Sequence, residues 1–314
     1  MSTSTGVLLV NLGSPAAPTA AAVRTYLAEF LSDPRVVALP RALWLPILHG
    51  LVLRTRPARS ARKYAAIWTP EGSPLAVHTA RQAALLAAAL PGWRVQHAMR
   101  YGGPSIAQGL AALADCERIV VLPLFPHYSR SATGSVIEAL GGASRGPRLN
   151  IVEDFHEHPA YIAALAQSVR ERWTRGGEPD VLVISFHGLP RRSIERGDPY
   201  QRQCLRSGEL LAAVLGLAPG RYRIAFQSRF GFAAWIQPYT AAVLHELGTA
   251  RLRRVDVICP GFVADCLETL QEIGIEGRRI FRKAGGGEFN ALPCLNEMPA
   301  WIAALAQIAR EAAA

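Results

Sequence analysis

His187 stands in Ser185-Phe186-His187-Gly188-Leu189-Pro190, where a strand-like apolar run, Val181 to Ser185, meets a glycine and a proline that break the chain. A neutral imidazole in that place can coordinate a divalent metal or accept a proton near neutral pH. A histidine satisfied by a backbone carbonyl at a strand end is the plainer alternative. Further along, Cys259-Pro260-Gly261 ends a second strand-like run, and Asp265, Glu268 and Glu272 follow at i, i+3 and i+7. On an α-helix that spacing places all three carboxylates on one face, where neighbours four apart repel by roughly a few tenths of a kcal/mol. Shielded from water, at least one of them acquires a raised pKa and becomes a proton acceptor or a step on a cation path. The alternative is a solvated acidic face, with Asp265 favouring the helix N-terminus.

Two further groups lie in the first half of the chain. Met99-Arg100-Tyr101-Gly102 and Pro123-Leu124-Phe125-Pro126-His127-Tyr128-Ser129 both follow strand-like runs. They offer cationic and aromatic groups to a flat anionic ligand. His127 is a second candidate metal ligand or a buried structural histidine. Leu39 to Tyr64 is apolar around Trp44 and Leu45-Pro46-Ile47-Leu48, then turns basic at Arg54, Arg56, Arg59, Arg62 and Lys63. Apolar residues beside arginine suit a cleft lip that takes an amphiphile or rests on anionic lipid. They suit an amphipathic core helix as well.

The elements that position these groups alternate along the chain. Strands are expected at Gly6–Leu12, Trp93–Tyr101, Arg118–Pro126 and Leu149–Asp154, then at Asp180–His187, Tyr222–Ser228, Val255–Pro260 and Arg279–Arg282. Helices are expected at Ala20–Leu31, Thr79–Leu90, Pro159–Thr174, Tyr200–Leu215, Pro238–Leu247, Ala264–Ile273 and Met298–Ala313. Continuous apolar strands separated by helices imply parallel sheets covered on both faces, here in two α/β domains. The expected domains are residues 1–155 and 156–314, with the last helix able to cross back to the first. Ligands of open α/β sheets bind beyond the C-terminal strand ends, which is where His187, Arg100 and Cys259 fall.

Composition narrows the partners. The 314 residues are 50% hydrophobic and 18% charged, with a net charge of +10. That balance favours an anionic partner, but the arginines are not interleaved in a nucleic-acid-binding pattern, so no nucleic acid is expected. Five cysteines, none in a C-x-x-C pair, argue for reduced thiols and a cytoplasmic setting, with peripheral contact with a membrane surface left open. No phosphate-binding loop and no G-x-G-x-x-G after a strand is present, and no signal peptide or membrane-spanning run is read.

Taken together the motifs resemble the ferrochelatase family, class II chelatases, in its bacterial Gram-negative form. The resemblance rests on SFHGLP at Ser185–Pro190, FQSRFG at Phe226–Gly231 and CPGFVADCLETL at Cys259–Leu270. EGSPL at Glu71–Leu75 and PHYSRSATGS at Pro126–Ser135 also fit, and the likeness runs from Val10 through Asn296. It implies a lyase that inserts Fe²⁺ into protoporphyrin IX and releases two protons, the final step of haem biosynthesis. The implied fold is two similar Rossmann-like (flavodoxin-like) domains, each a parallel sheet flanked by helices, with a porphyrin gripped in a cleft between them. The family's metal-site histidine and glutamate fall on His187 and Glu268, with Asp265 and Glu272 as the acidic relay. Leu12, Arg100, Tyr101 and Trp235 would form the pocket wall, and Tyr64, Ser73 and Arg56 or Arg54 the propionate end. The reading expects His187 to accept protons and Glu268, relayed by Glu272, to handle the metal. No permanently bound cofactor is expected, and no 2Fe–2S cluster, because Arg130 occupies the upstream cluster position and no cysteine follows Cys294. The rivals are a cobalt chelatase acting on sirohydrochlorin, which would use more histidines, and a porphyrin carrier without turnover.

Overall fold

A strand that is apolar on both faces needs cover above and below, and Val7 through Val10 obtain it completely, with no exposed surface. In the computed structural model, which describes residues 4–37, 39–141, 148–229, 231 and 233–314, they form the core of β1 (Thr5–Asn11). The chain divides into two compact units, residues up to 154 with 305–314, and residues 155–304.

In the first unit β1 is followed by α1 (Ala20–Ser32), α2 (Arg41–Ile47), a π-helical stretch (Leu48–Val52), α3 (Leu53–Ala65) and α4 (Pro74–Ala89). Then come β2 (Arg94–Met99), α5 (Ile106–Ala111), β3 (Arg118–Pro123), α6 (Thr133–Leu140) and β4 (Arg148–Ile151). The sheet is parallel throughout, in the order β2-β1-β3-β4. Local signals set the helix starts. The Thr19 hydroxyl accepts the Ala22 N–H at the head of α1, and Ser105 and Gln108 close a reciprocal capping box on α5.

The second unit repeats the plan with α7 (Pro159–Gly176), β5 (Val181–His187), α8 (Arg191–Glu195), α9 (Tyr200–Leu215), β6 (Tyr222–Gln227), α10 (Thr240–Thr249) and β7 (Arg254–Ile258). A second π-helix (Leu267–Gly277) leads into α11 (Arg278–Lys283), β8 (Glu288–Ala291) and α12 (Pro299–Ala313). Its parallel sheet runs β6-β5-β7-β8. Helix α12 belongs to the second unit as far as Ala304 and to the first from Leu305. The strand expected at Arg279–Arg282 is instead helical, and the fourth strand lies further on at Glu288–Ala291. The short Ile280-Phe281 pair carries no period of its own. Phe281 is fully buried from the helix, and its ring lies 6.0 Å from that of Phe289 in the true strand. Among the described residues no helix is long and apolar enough to cross a membrane.

At the start of β7 an ion pair is sealed into the second unit. Asp256 has no exposed surface, and its carboxylate takes both Nε and Nη2 of Arg254 at 3.0 Å. Trp173 Nε1 donates to it at 3.1 Å and Asn290 Nδ2 at 3.0 Å. Removing one partner of such a pair leaves an uncompensated buried charge and costs about 3–5 kcal/mol. Asp256→Ala is therefore expected to lower unfolding stability by about that amount, read by urea denaturation. A loss under about 1 kcal/mol would show that the pair is solvated in practice.

Candidate active site

The second unit gathers four of the expected site residues at the C-terminal end of its sheet. His187 closes β5 and pairs in register with Gln227, the last residue of β6. The next residue, Gly188, donates its N–H to the Gln227 carbonyl at 2.8 Å. A Cβ at Gly188 would stand 2.8 Å from that oxygen and 3.1 Å from the Trp235 ring, so only glycine allows Trp235 to close on the strand end. The imidazole lies near Trp235 and Phe262, with ring centroids 6.4 and 6.3 Å away. Its Nδ1 is 2.6 Å from the Gly188 carbonyl. A carbonyl can only accept, so Nδ1 carries a proton and the neutral ring keeps its lone pair on Nε2.

The carboxylates arrive on a wider helix than the spacing suggested. The sequence reads as an α-helix over Ala264–Ile273, yet Leu267–Gly277 is π-helical. Gln227 Nε2 donates to the Glu268 carbonyl at 3.0 Å, and a side chain inserted at a helical carbonyl is one way the α-ladder gives way. The Gln227 amide is itself fixed from below. Its Oε1 accepts from Ser185 Oγ at 2.7 Å, and Ser185 lies 2.8 Å from Thr240 Oγ1.

The expected row of three carboxylates is consequently a pair. Asp265 precedes the π-helix and is 6% exposed. Its Oδ1 accepts from Thr269 Oγ1 at 2.8 Å and from the Cys294 N–H at 3.3 Å, and its Oδ2 from Asn296 Nδ2 at 2.7 Å. Asp265 is thus spent on fastening the 292–296 loop to the helix entrance. Glu268 and Glu272 stay on the helix, both half-buried. Ser228, in the left-handed region at φ +66°, donates its N–H to Glu272 Oε1 at 2.7 Å and its hydroxyl to Oε2 at 2.5 Å. Burial pushes the Glu272 pKa above the ordinary carboxylate value. The Ser228 hydroxyl and His187 oppose that rise, and the charge of Glu268 adds to it. The histidine and the two glutamates therefore share one electrostatic neighbourhood. Among the described residues no group of three or more His, Cys, Asp or Glu could together hold a metal ion.

In the first unit the expected contacts also cluster at a strand end. Leu12, half-buried after β1, accepts the Tyr101 N–H at 2.9 Å. Gly13, at φ +106°, lets the two loops touch, since a Cβ there would sit 1.9 Å from the Tyr101 carbonyl. Arg100 donates from Nη2 to Asp33 Oδ2 at 2.8 Å and from Nε to Ser135 Oγ at 2.7 Å. Tyr101 is 1% exposed, and its hydroxyl also goes to Asp33, at 2.7 Å, so it stands as a support behind Arg100. Tyr64 and Ser73 are buried, Tyr64 edge-on to Trp68. Arg56 is half-buried and Arg54 exposed, and His127 is buried within the unit. Sequence reasoning passed over Asp33, Gln227 and Ser228. The first reads as a turn residue before Pro34, and the other two gain their roles from partners 41 and 44 residues away.

A carboxyl whose folded pKa is raised costs stability wherever the unfolded chain is ionised, and nothing where both states are protonated. Glu272→Gln is therefore expected to raise the unfolding midpoint at neutral pH, with the gain fading as pH falls to about the ordinary value of 4.5. Urea melts across that range test the sign. A lower midpoint at neutral pH would contradict the assignment.

The chain matches the family model described as Ferrochelatase over residues 4–313. A protein named ferrochelatase from Azoarcus sp. (strain BH72) is 57% identical, covering 98% of this chain and 88% of its own length. One from Nitrosomonas europaea is 55% identical, covering 96% and 86%. Among solved structures, SirB from Bacillus subtilis with Fe³⁺ superposes with a TM-score of 0.59 at 14% identity, over 99% of this chain and 96% of that one. CbiX, described as the terminal enzyme of sirohaem biosynthesis in denitrifying bacteria, gives 0.52 at 17%, over 98% and 99%. These last two speak for the shared fold alone. With the family model spanning nearly every residue, and relatives above half identity, the chain belongs to the ferrochelatase family, the porphyrin metal chelatases that insert ferrous iron in haem synthesis.

Proposed function

We propose that this chain inserts Fe²⁺ into protoporphyrin IX, with His187 taking protons from the ring and Glu268 receiving the metal. The observation that carries this reading is the meeting of an imidazole whose Nδ1 is turned to the Gly188 carbonyl, leaving the Nε2 lone pair, with two glutamates, one of them held at a raised pKa. Metallation removes two pyrrole N–H protons and exchanges the water on Fe²⁺ for four ring nitrogens. Nε2 of His187 offers a lone pair to take the protons. The Glu268 carboxylate is a hard oxygen donor suited to a first-row dication on its way in. Glu272, fixed by Ser228, passes protons or holds charge beside it. Trp235 offers a ring face next to His187. In the first unit, Leu12, Arg100 and Arg56 are the proposed porphyrin contacts, backed by Tyr101, Tyr64 and Ser73. Asp265 acts on the relay only through the loop it fastens.

The apolar residues Leu39, Leu43, Ile47 and Leu51 are 52%, 66%, 45% and 60% exposed. They precede Arg54, Arg59 and Arg62, which are exposed as well. Apolar side chains flanked by cations favour the face of an anionic bilayer, and we assign the chain a peripheral place there, on the cytoplasmic side. Leu43→Asp with Leu51→Asp is expected to weaken flotation with phosphatidylglycerol vesicles by about tenfold or more and to leave turnover of detergent-dispersed porphyrin intact. Equal flotation of both proteins would count against it.

The central test follows the visible absorption of protoporphyrin IX mixed anaerobically with protein and Fe²⁺ or Zn²⁺. Wild type is expected to form metalloporphyrin catalytically. Glu268→Gln and His187→Ala are each expected to lose about 100-fold or more in kcat while still binding porphyrin, the range for removal of an acid–base group. Full activity in His187→Ala would remove it from proton transfer. Binding without turnover by wild type would make the protein a carrier.

A further inference from the structure

Arg100 is a proposed porphyrin contact whose charge is already answered inside the protein. Asp33, 6% exposed in its side chain, receives Arg100 Nη2 at 2.8 Å, the Tyr101 hydroxyl at 2.7 Å and the Ser135 hydroxyl at 2.6 Å on a single oxygen. Its other oxygen takes the Arg35 N–H at 2.7 Å. Arg100 Nε is divided between the Ser135 hydroxyl at 2.7 Å and the Ser135 carbonyl at 3.0 Å, and the guanidinium lies 4.5 Å from the Tyr101 ring centroid. One edge of the guanidinium is spent, and only 21% of the side chain is exposed. By contrast Arg54, Arg59 and Arg62 are exposed and enter no ion pair among the described residues.

We propose that Asp33 is a positioning and specificity residue, which holds Arg100 in one orientation as a charge-compensated edge of the porphyrin site and so biases the site toward a ring with two carboxylates over a ring with four. This rests on the placement of Arg100 at the porphyrin given above. A carboxylate approaching a lone guanidinium gains Coulomb energy. One approaching the Asp33–Arg100 pair gains much less, because a second carboxylate sits 2.8 Å behind the cation. Protoporphyrin's two propionates can be met by free cations such as the exposed arginines of α3. Coproporphyrin brings two further propionates, and a compensated Arg100 gives them little in return for their desolvation. Buried burial-plus-bond balance agrees: burial alone would raise the Asp33 pKa, but hydrogen bonds from Ser135, the Arg35 N–H and Tyr101, together with the Arg100 charge, hold the carboxyl below its usual value.

The test compares kcat and KM for zinc insertion into protoporphyrin IX and coproporphyrin III by this chain. Asp33→Asn keeps the shape and one acceptor oxygen and frees the Arg100 charge. It is expected to raise the coproporphyrin-to-protoporphyrin ratio of kcat/KM about fivefold or more, chiefly through KM. Arg100→Gln makes the opposite change, leaving Asp33 uncompensated, and is expected to lower the ratio by a similar factor. It decides the matter should Asp33→Asn fail to fold. A parallel fall for both porphyrins in these variants, with the ratio unchanged, would reduce Asp33 to a structural residue and overturn the proposal. Absence of metalloporphyrin formation by wild type would instead strike at the chelatase reading, and the role of Asp33 would fall with it.

Discussion

Burying a carboxylate beside a second carboxylate is costly, and the second unit is organised around making that arrangement tolerable. Glu272 is held by two short bonds from Ser228, and charge-assisted bonds of this kind are among the strong ones. They require Ser228 to leave β6 in the left-handed region, where a non-glycine residue is strained. The same strand end sends Gln227 to the Glu268 carbonyl, so both glutamates answer to consecutive residues at one strand end. The wide helix, the orientation of the Gln227 amide and the glycine at 188 all follow from fitting that strand end against His187 and Trp235. The raised pKa of Glu272 is the residue of the conflict, since the bonds oppose the burial without cancelling it. A site tuned this way gives up stability for a group that can change its proton state.

The first unit solves a different problem with similar means. Arg100 needs a fixed orientation, and a long flexible cation loses rotamer entropy when it is held. Asp33, Ser135 and Tyr101 hold it through bonds made by groups that are already buried. Asp33 closes α1 as its C-cap, Arg100 follows β2 and Ser135 lies in the first turn of α6. Three elements therefore meet on a single carboxylate oxygen. The chain just beyond Asp33 carries the exposed Leu39, Leu43, Ile47 and Leu51, so the apolar surface is rooted in the same cluster that fixes Arg100.

Much of this is legible in the sequence. Continuous apolar runs such as Val7–Val10 and Val181–Phe186 announce strands covered on both faces, and both are fully or nearly fully buried. His187 and the acidic row that holds Glu268 stood out because a strand end and a helix start are marked by Gly and Pro, and the resemblance to the ferrochelatase family picked Glu268 out of the row. What stayed hidden depended on partners distant in the chain. The π-helix cannot be read from Leu267–Gly277 itself, because the acceptor it gives up is claimed by Gln227 from another strand. Asp265 matched the spacing of an acidic row, yet Asn296 and Cys294 draw it out of the row. The strand placed at Arg279–Arg282 shows the weakness of short apolar pairs, which report burial and leave the backbone conformation open. Asp33 looked like a turn residue, and only the fold reveals the three donors that converge on one of its oxygens.

The repeated strand order has a consequence for how the two halves can be compared. β1 and β5 are each seven residues long, each lies second in its sheet, and each pairs with the strand that follows it in the chain. Asn11 is paired with Met99 as His187 is paired with Gln227. Arg100 and Ser228, the residues immediately after those pairs, are therefore counterparts under the internal repeat. Both are tethers, one gripped by Asp33 and the other gripping Glu272. An ancestral duplication would account for the shared address, with the two copies diverging in charge. One half sets a cation beside a carboxylate there and the other a hydroxyl beside a carboxylate, so one topological position carries different electrostatics in the two halves.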